Sequence, residues 1–154
     1  MDRFTQFACV ASDEAIADAN LEKPLGERAG VYIGSGIGGV NEISAGTLRH
    51  QQKGPRGLGA YFITRSLPNL AGGIVALQSG AKGPNLCVST ACAAGTHSIG
   101  EAFRIIRSGL ADIAIAGGAE APIGSIGVGG FLVMRALSRF DGDPKLASKY
   151  IYCM

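Results

Sequence analysis

Val88-Ser89-Thr90-Ala91-Cys92-Ala93-Ala94-Gly95 is the stretch on which the reading of this 154-residue chain turns. A short apolar run (Leu86, Cys87, Val88) stops, a cysteine follows, and small residues open a long helical pattern. That order places a thiol at a helix N-terminus, where unpaired backbone N–H groups and the helix dipole favour the thiolate. Ala93, Ala94 and Gly95 put nothing bulky above the sulfur, so a carbonyl carbon has room to approach. The competing reading is a buried cysteine acting as a small hydrophobe. Spacing alone leaves both open.

The surrounding segments decide between them. Gly83-Pro84 precedes the strand, Ile99-Gly100 lies in the helix, and Ala111-Asp112-Ile113-Ala114-Ile115-Ala116-Gly117-Gly118-Ala119-Glu120 follows it. Further on come Gly127-Val128-Gly129-Gly130-Phe131 and Met134-Arg135-Ala136-Leu137-Ser138. Earlier stand Asp2-Arg3-Phe4-Thr5-Gln6-Phe7 and Gly34-Ser35-Gly36-Ile37-Gly38-Gly39. In this order the series resembles the β-ketoacyl-[acyl carrier protein] synthases, condensing enzymes of the thiolase-like fold, and within them the long-chain elongating type II branch.

The resemblance implies an α/β fold of layered α-β-α-β-α type, with only part of the N-terminal half present. It implies that Cys92 is the nucleophile: it takes the acyl group from an acyl carrier protein thioester. Two histidines then promote decarboxylation of a malonyl thioester, whose carbanion attacks the acyl-cysteine in a Claisen condensation that elongates a fatty acid. A helix N-terminus lowers a thiol pKa by about a unit or more, which suits this chemistry. The Cys92 backbone N–H would form half of an oxyanion hole. No metal or redox cofactor is implied, because phosphopantetheine arrives on the carrier. Carried over position by position, Ile37, Val40, Gly127 and Phe131 would line the acyl-chain tunnel; plain core packing is the alternative for all four. The family pairs as a homodimer.

This chain carries two histidines, His50 in a polar stretch and His97 five residues after Cys92. The motifs that hold the two family histidines are not among its residues. Residues 1–148 therefore read as an internal piece of the synthase N-terminal domain, and 149–154 as a non-family tail. The second function class is a non-catalytic remnant, a pairing or scaffold module that keeps Cys92 without its partners.

Composition agrees with one core and narrows the partners. The chain is 47% hydrophobic with a net charge of +2, which implies neither nucleic acid nor an acidic membrane surface. Charge is nonetheless uneven. No Asp or Glu lies between Glu42 and Glu101, where Arg49, Lys53, Arg56, Arg65 and Lys82 stand; such a surface suits an acidic carrier protein, or is an ordinary solvated face. Cys9, Cys87, Cys92 and Cys153 show no CxxC pairing, which points to a reducing compartment: the cytoplasm, or a mitochondrion or plastid in a eukaryote. Cys92 and His97 would sit about 140° apart around a helix, against a zinc site. No apolar run approaches the about 18 residues of a membrane span.

Periodicity supplies the element order. Asp2 caps a helix with Phe4, Phe7, Ala8, Ala11 and Ala15 as its apolar stripe. Residues 31–33 read as a buried strand, 44–60 as loop, and 69–79 as a helix that ends at Gly80. A strand over 86–90 leads to helix 93–108, with Ile99, Ala102, Phe103, Ile106 and Leu110 as its stripe, and 112–116 is a strand. The alternation predicts a largely parallel sheet covered by helices. The family fold would hold helix 93–108 between two sheets.

Gly34–Gly39 also fits G-x-G-x-x-G after a strand, the dinucleotide-binding pattern. That reading demands a following helix and an acid about 20 residues on. The sequence beyond Gly39 reads as loop, no acid follows Glu42 before Glu101, and no Lys-Ser/Thr makes a P-loop. Dinucleotide binding is the remote alternative.

Overall fold

The computed structural model describes residues 1–148. The expected 149–154 tail and Cys153 lie outside the described residues. Asp2 opens helix α1 (Arg3–Asp18), its carboxylate accepting from the Phe4 N–H at 3.4 Å. Strand β1 (Ala29–Gly34) follows, then helix α2 (Val40–Lys53), a 3-10 turn over Gly54–Gly57, and the short helix α3 (Phe62–Ser66). Helix α4 (Leu70–Ser79) ends where Gly80 takes φ +68°, its N–H reaching back to the Ala76 carbonyl. Strand β2 (Asn85–Leu86), a 3-10 turn over Ala91–Ala93, helix α5 (Ala94–Arg107), strand β3 (Ile113–Gly118) and helix α6 (Ser125–Val133) complete the order.

The three strands form a parallel sheet in the order β2-β1-β3. β1 is central and buried along its whole length, which is why it carries no charged residue. Its register with β3 runs from Ala29 against Ile113 to Gly34 against Gly118. Val31 and Ile33 turn to one face, into a core with Phe4, Ala8 and Cys9 of α1 and Ala71 and Val75 of α4. Tyr32 turns to the other, against Ala102 and Ile105 of α5 and against Ala111. Three layers result: α1 and α4, the sheet, and α5. Among the described residues no helix is long and apolar enough to cross a membrane.

Several expectations need correction. Residues 44–60 are not loop, since α2 spans most of them. The helix forms because Glu42 pairs with Arg49, Arg49 Nε also caps the Gly57 carbonyl at 3.1 Å, and Gly46 lets the Phe62 ring close on it. Those are tertiary contacts that a polar composition hides. His50 therefore sits in the last turn of a helix rather than in a loop. Ladder pairing in the strand read as 86–90 covers only Asn85 and Leu86, and β3 begins and ends later than the 112–116 reading.

The helix stripes are also rotated. In α1 the buried row is Phe4, Thr5, Ala8, Cys9, Ser12 and Ile16, while Phe7, Ala11 and Ala15 are exposed. In α5 the buried row is Ala94, Ser98, Ala102 and Ile105, while of the expected stripe Ile99, Phe103 and Ile106 are exposed, as is Leu110 beyond the helix end. Small residues win the sheet side because they let the helix axis approach closely. Within the described residues α5 covers one sheet only, and apart from Ile105 its larger apolar side chains are exposed.

Candidate active site

The site lies at the carboxyl ends of the three strands, where parallel α/β sheets place their ligands. Beyond β1 the chain turns through Ser35, Gly36 and Ile37; beyond β2 it runs to Ala91 and Cys92; beyond β3 come Ala119, Glu120 and Pro122. With the start of α5 (Ala94, Gly95) and with Phe131 and Met134 from the region of α6, these residues enclose a cleft of about 550 Å³. Close backbone packing brings the segments together. A methyl group on Gly118 would fall 2.9 Å from the Gly95 Cα, and one on Gly34 would fall 2.6 Å from the Ala94 carbonyl oxygen. Glycine at both positions lets the start of α5 sit directly on the ends of β1 and β3.

Cys92 occupies the 3-10 turn just ahead of α5 and is exposed. Its neighbour Ala91 has φ +51°, a left-handed conformation rare for a residue with a Cβ, so the chain is bent sharply at the residue before the sulfur. Thr90 Oγ1 lies 2.8 Å from His97 Nδ1, a clasp that joins the bend to the first turn of α5. The other described cysteines differ. Cys9 is buried in the α1–α4 core, and burial, with the nearby Asp13 charge, pushes its thiol pKa up. Cys87 is half-buried; burial raises its pKa too, opposed by a hydrogen bond from the Ser35 backbone and reinforced by the Glu120 carboxylate.

Of the residues expected at the tunnel, Ile37 and Phe131 line the cleft together with Cys92. Val40 and Gly127 are not among its lining residues. Val40 begins α2, half-buried, and Gly127 is buried where α6 packs against the Pro122 backbone. Neither His50 nor His97 lines the cleft. Among the described residues no three His, Cys, Asp or Glu side chains come together to hold a metal. A second cleft of about 410 Å³, lined by residues that include Met1, Asp2, Tyr61 and Arg65, contains neither cysteine nor histidine.

The whole chain up to residue 149 matches the family described as beta-ketoacyl synthase, N-terminal domain. The chain belongs to the β-ketoacyl synthase family. It is 48% identical over 143 residues to 3-oxoacyl-[acyl-carrier-protein] synthase 2 of Staphylococcus aureus, covering 92% of this chain and 36% of that protein. The corresponding synthase of Synechocystis is 43% identical over 151 residues, 97% of this chain and 36% of the relative. The chain thus spans about a third of the length of the curated relatives it matches. Among solved structures, a type II PKS acyl-carrier protein in complex with its ketosynthase bound to the hexaketide superposes with a TM-score of 0.86 at 31% identity, covering 93% of this chain and 37% of that one. A β-ketoacyl synthase from Burkholderia phymatum gives 0.85 at 29%, covering 97% and 37%. The layered fold is therefore thiolase-like, and this chain holds part of its N-terminal half.

Within that β-ketoacyl synthase fold, sequence reasoning assigned no role to Glu120. Its Oε2 accepts the N–H groups of Gly36 at 2.6 Å and Ile37 at 2.9 Å, and its Oε1 accepts the Ser35 hydroxyl at 3.1 Å. Ser35 Oγ in turn accepts the Gly38 N–H at 3.1 Å. The glycine turn is thus an anion cradle filled by the chain's own carboxylate. This decides the dinucleotide question on a ground the sequence does not show. A helix does follow the glycines, as that reading demanded, but the N–H groups that a pyrophosphate would need are taken. The partners lie more than eighty positions apart in sequence, so no local pattern announces them.

Proposed function

We propose that this chain is the part of a fatty-acid-elongating β-ketoacyl synthase that carries the acyl-accepting cysteine and part of the acyl cleft. The observation that carries the reading is the position of Cys92: of the described cysteines it alone is exposed, and it lies in an apolar cleft at the strand ends. The Cys92 thiolate attacks the thioester carbonyl, the carrier's phosphopantetheine thiolate leaves, and the acyl group remains on Cys92. Loss of CO2 from a malonyl thioester then yields a carbanion that attacks the acyl carbonyl. A carbon–carbon bond forms and the Cys92 thiolate is released. Sulfur serves both steps, as a good nucleophile when ionised and a good leaving group.

An acyl carrier protein is the proposed donor. Lys53, Arg56 and Arg65, all exposed, stand on the neighbouring α2, 3-10 turn and α3, and Lys82 is exposed beyond α4, while Arg49 is engaged by Glu42. Exposed cations of this kind suit an acidic carrier. A related ketosynthase has been solved with its own acyl-carrier protein. No histidine lines the cleft, so the residues described here support acyl transfer to Cys92 and leave condensation without its general acid–base groups.

Incubation with an acyl carrier protein thioester, followed by peptide mass mapping, tests the proposal. The expected result is an acyl adduct on Cys92, absent in Cys92→Ser, and no β-ketoacyl product from this chain alone when malonyl carrier is added. An adduct that persists in Cys92→Ser would contradict the assignment.

A further inference from the structure

We propose that Glu120 is a positioning residue that sets the depth of the acyl cleft by fixing Ile37. The inference deepens the acyl-cleft reading. Ile37 and Glu120 both line the cleft that holds Cys92, yet they come from different strand ends. Ile37 belongs to a turn that holds Gly34, Gly36, Gly38 and Gly39 and has little conformational preference of its own. What holds it is the Glu120 carboxylate, on the Gly36 and Ile37 N–H groups and the Ser35 hydroxyl, with Ser35 passing the constraint on to Gly38. Glu120 is itself placed by the sheet, since the preceding residue, Ala119, donates to the Gly34 carbonyl at 3.0 Å as β1 and β3 part. The carboxylate therefore bridges two strand ends across the mouth of the sheet and sets where the Ile37 side chain stands relative to the sulfur. A short group on Cys92 does not depend on that wall; a long chain does.

Cys92 can be modified with methyl and octyl methanethiosulfonate, each forming a mixed disulfide and releasing methanesulfinate, with the rate at Cys92 read by peptide mapping. This reaction needs no acyl transfer, so its outcome is independent of whether carrier thioesters acylate the chain. Because unfolded chain also reacts at Cys92, the octyl-to-methyl rate ratio is compared only among variants whose circular dichroism matches that of the parent. In Glu120→Ala the ratio is expected to fall about tenfold, the scale on which apolar pockets discriminate chain groups. In Glu120→Gln, which keeps the length and an accepting oxygen, it should stay within about twofold of the parent. Ile37→Ala should lower the ratio, and adding Glu120→Ala to it should change nothing further, because the group being positioned is gone. If Glu120→Ala does not fold, Glu120→Asp, one methylene too short, takes its place with the same expectation. An unchanged ratio in the alanine or aspartate variant overturns the proposal. So does a glutamine variant that behaves like alanine, or full additivity with Ile37→Ala.

Discussion

Ala91 concentrates the local cost of the site. A residue with a Cβ at φ +51° gives up about 1–2 kcal/mol relative to ordinary helix or strand geometry. The bend it makes turns the chain from β2 into the Cys92 turn. Ala91→Gly should therefore raise stability by up to about 1 kcal/mol, seen as a higher urea midpoint. Ala91→Val should lower it by about 1–2 kcal/mol, because a β-branched residue fits this conformation worse. A valine variant as stable as the parent would show that the bend relaxes freely. The place of Cys92 ahead of a helix could be read from its neighbours, because a strand stop, small residues and a helix start are local signals, whereas its role as nucleophile came only from the resemblance of the surrounding segments. Glu120 could not, because its meaning arises only when the ends of β1 and β3 are brought side by side.

At the scale of elements, the parts closed by local signals were legible and those closed by distant contacts were not. Helix α4 announces itself through Gly80, whose left-handed cap is a property of that residue. Helix α2 depends on Phe62 over Gly46 and on Arg49 reaching Gly57, neither visible in a polar, glycine-containing stretch. The rotation of α5 has the same origin, since periodicity marks which residues are apolar but not which apolar row fits against a close-packed sheet. The start of β1 and the start of β3 are joined by Arg28, which grips Asp112 through two hydrogen bonds, at 2.6 and 2.7 Å, and reaches the Gly109 carbonyl at 2.9 Å. The hydrogen bonds and charge of Arg28 hold the Asp112 carboxyl below the usual carboxylate range. A lowered folded-state pKa means that stability from this pair is present above the ordinary carboxylate range and lost as pH falls through the lowered value. The pair is exposed and its contribution is small. Asp112→Asn should melt slightly below the parent at neutral pH, and the two curves should converge in acid. A gap that stays constant or widens in acid would contradict the linkage.

Over the whole molecule, the layered α/β plan follows from the alternation of helix and strand, and the family series fixed its type. What the pattern left out is how much apolar surface the described residues leave uncovered. Ile99 and Phe103 on the outer side of α5 and Leu110 just beyond it are 56%, 62% and 63% exposed, and Leu132, Val133 and Met134 are exposed at the end of α6. Large apolar side chains exposed together on one helix face mark a surface prone to association. This chain alone should therefore associate, eluting from a sizing column with light-scattering detection as a species larger than one chain. Phe103→Ser with Ile99→Ser should shift it toward the monomer. A parent chain that runs as a clean monomer at all concentrations would show that this face is not adhesive.

The central claim is that the cleft at the strand ends presents Cys92 as the reactive nucleophile. Competitive alkylation with trace iodoacetamide tests it directly, with peptide mapping of Cys9, Cys87 and Cys92 in folded and urea-unfolded protein. Cys9 is buried and Cys87 half-buried, and burial raises the pKa of both thiols. Cys92 is exposed in the turn just ahead of α5, open to the reagent. In the folded protein Cys92 is labelled first and the other two are protected, and the differences shrink on unfolding. Labelling of Cys9 or Cys87 ahead of Cys92 in the folded protein would contradict the claim.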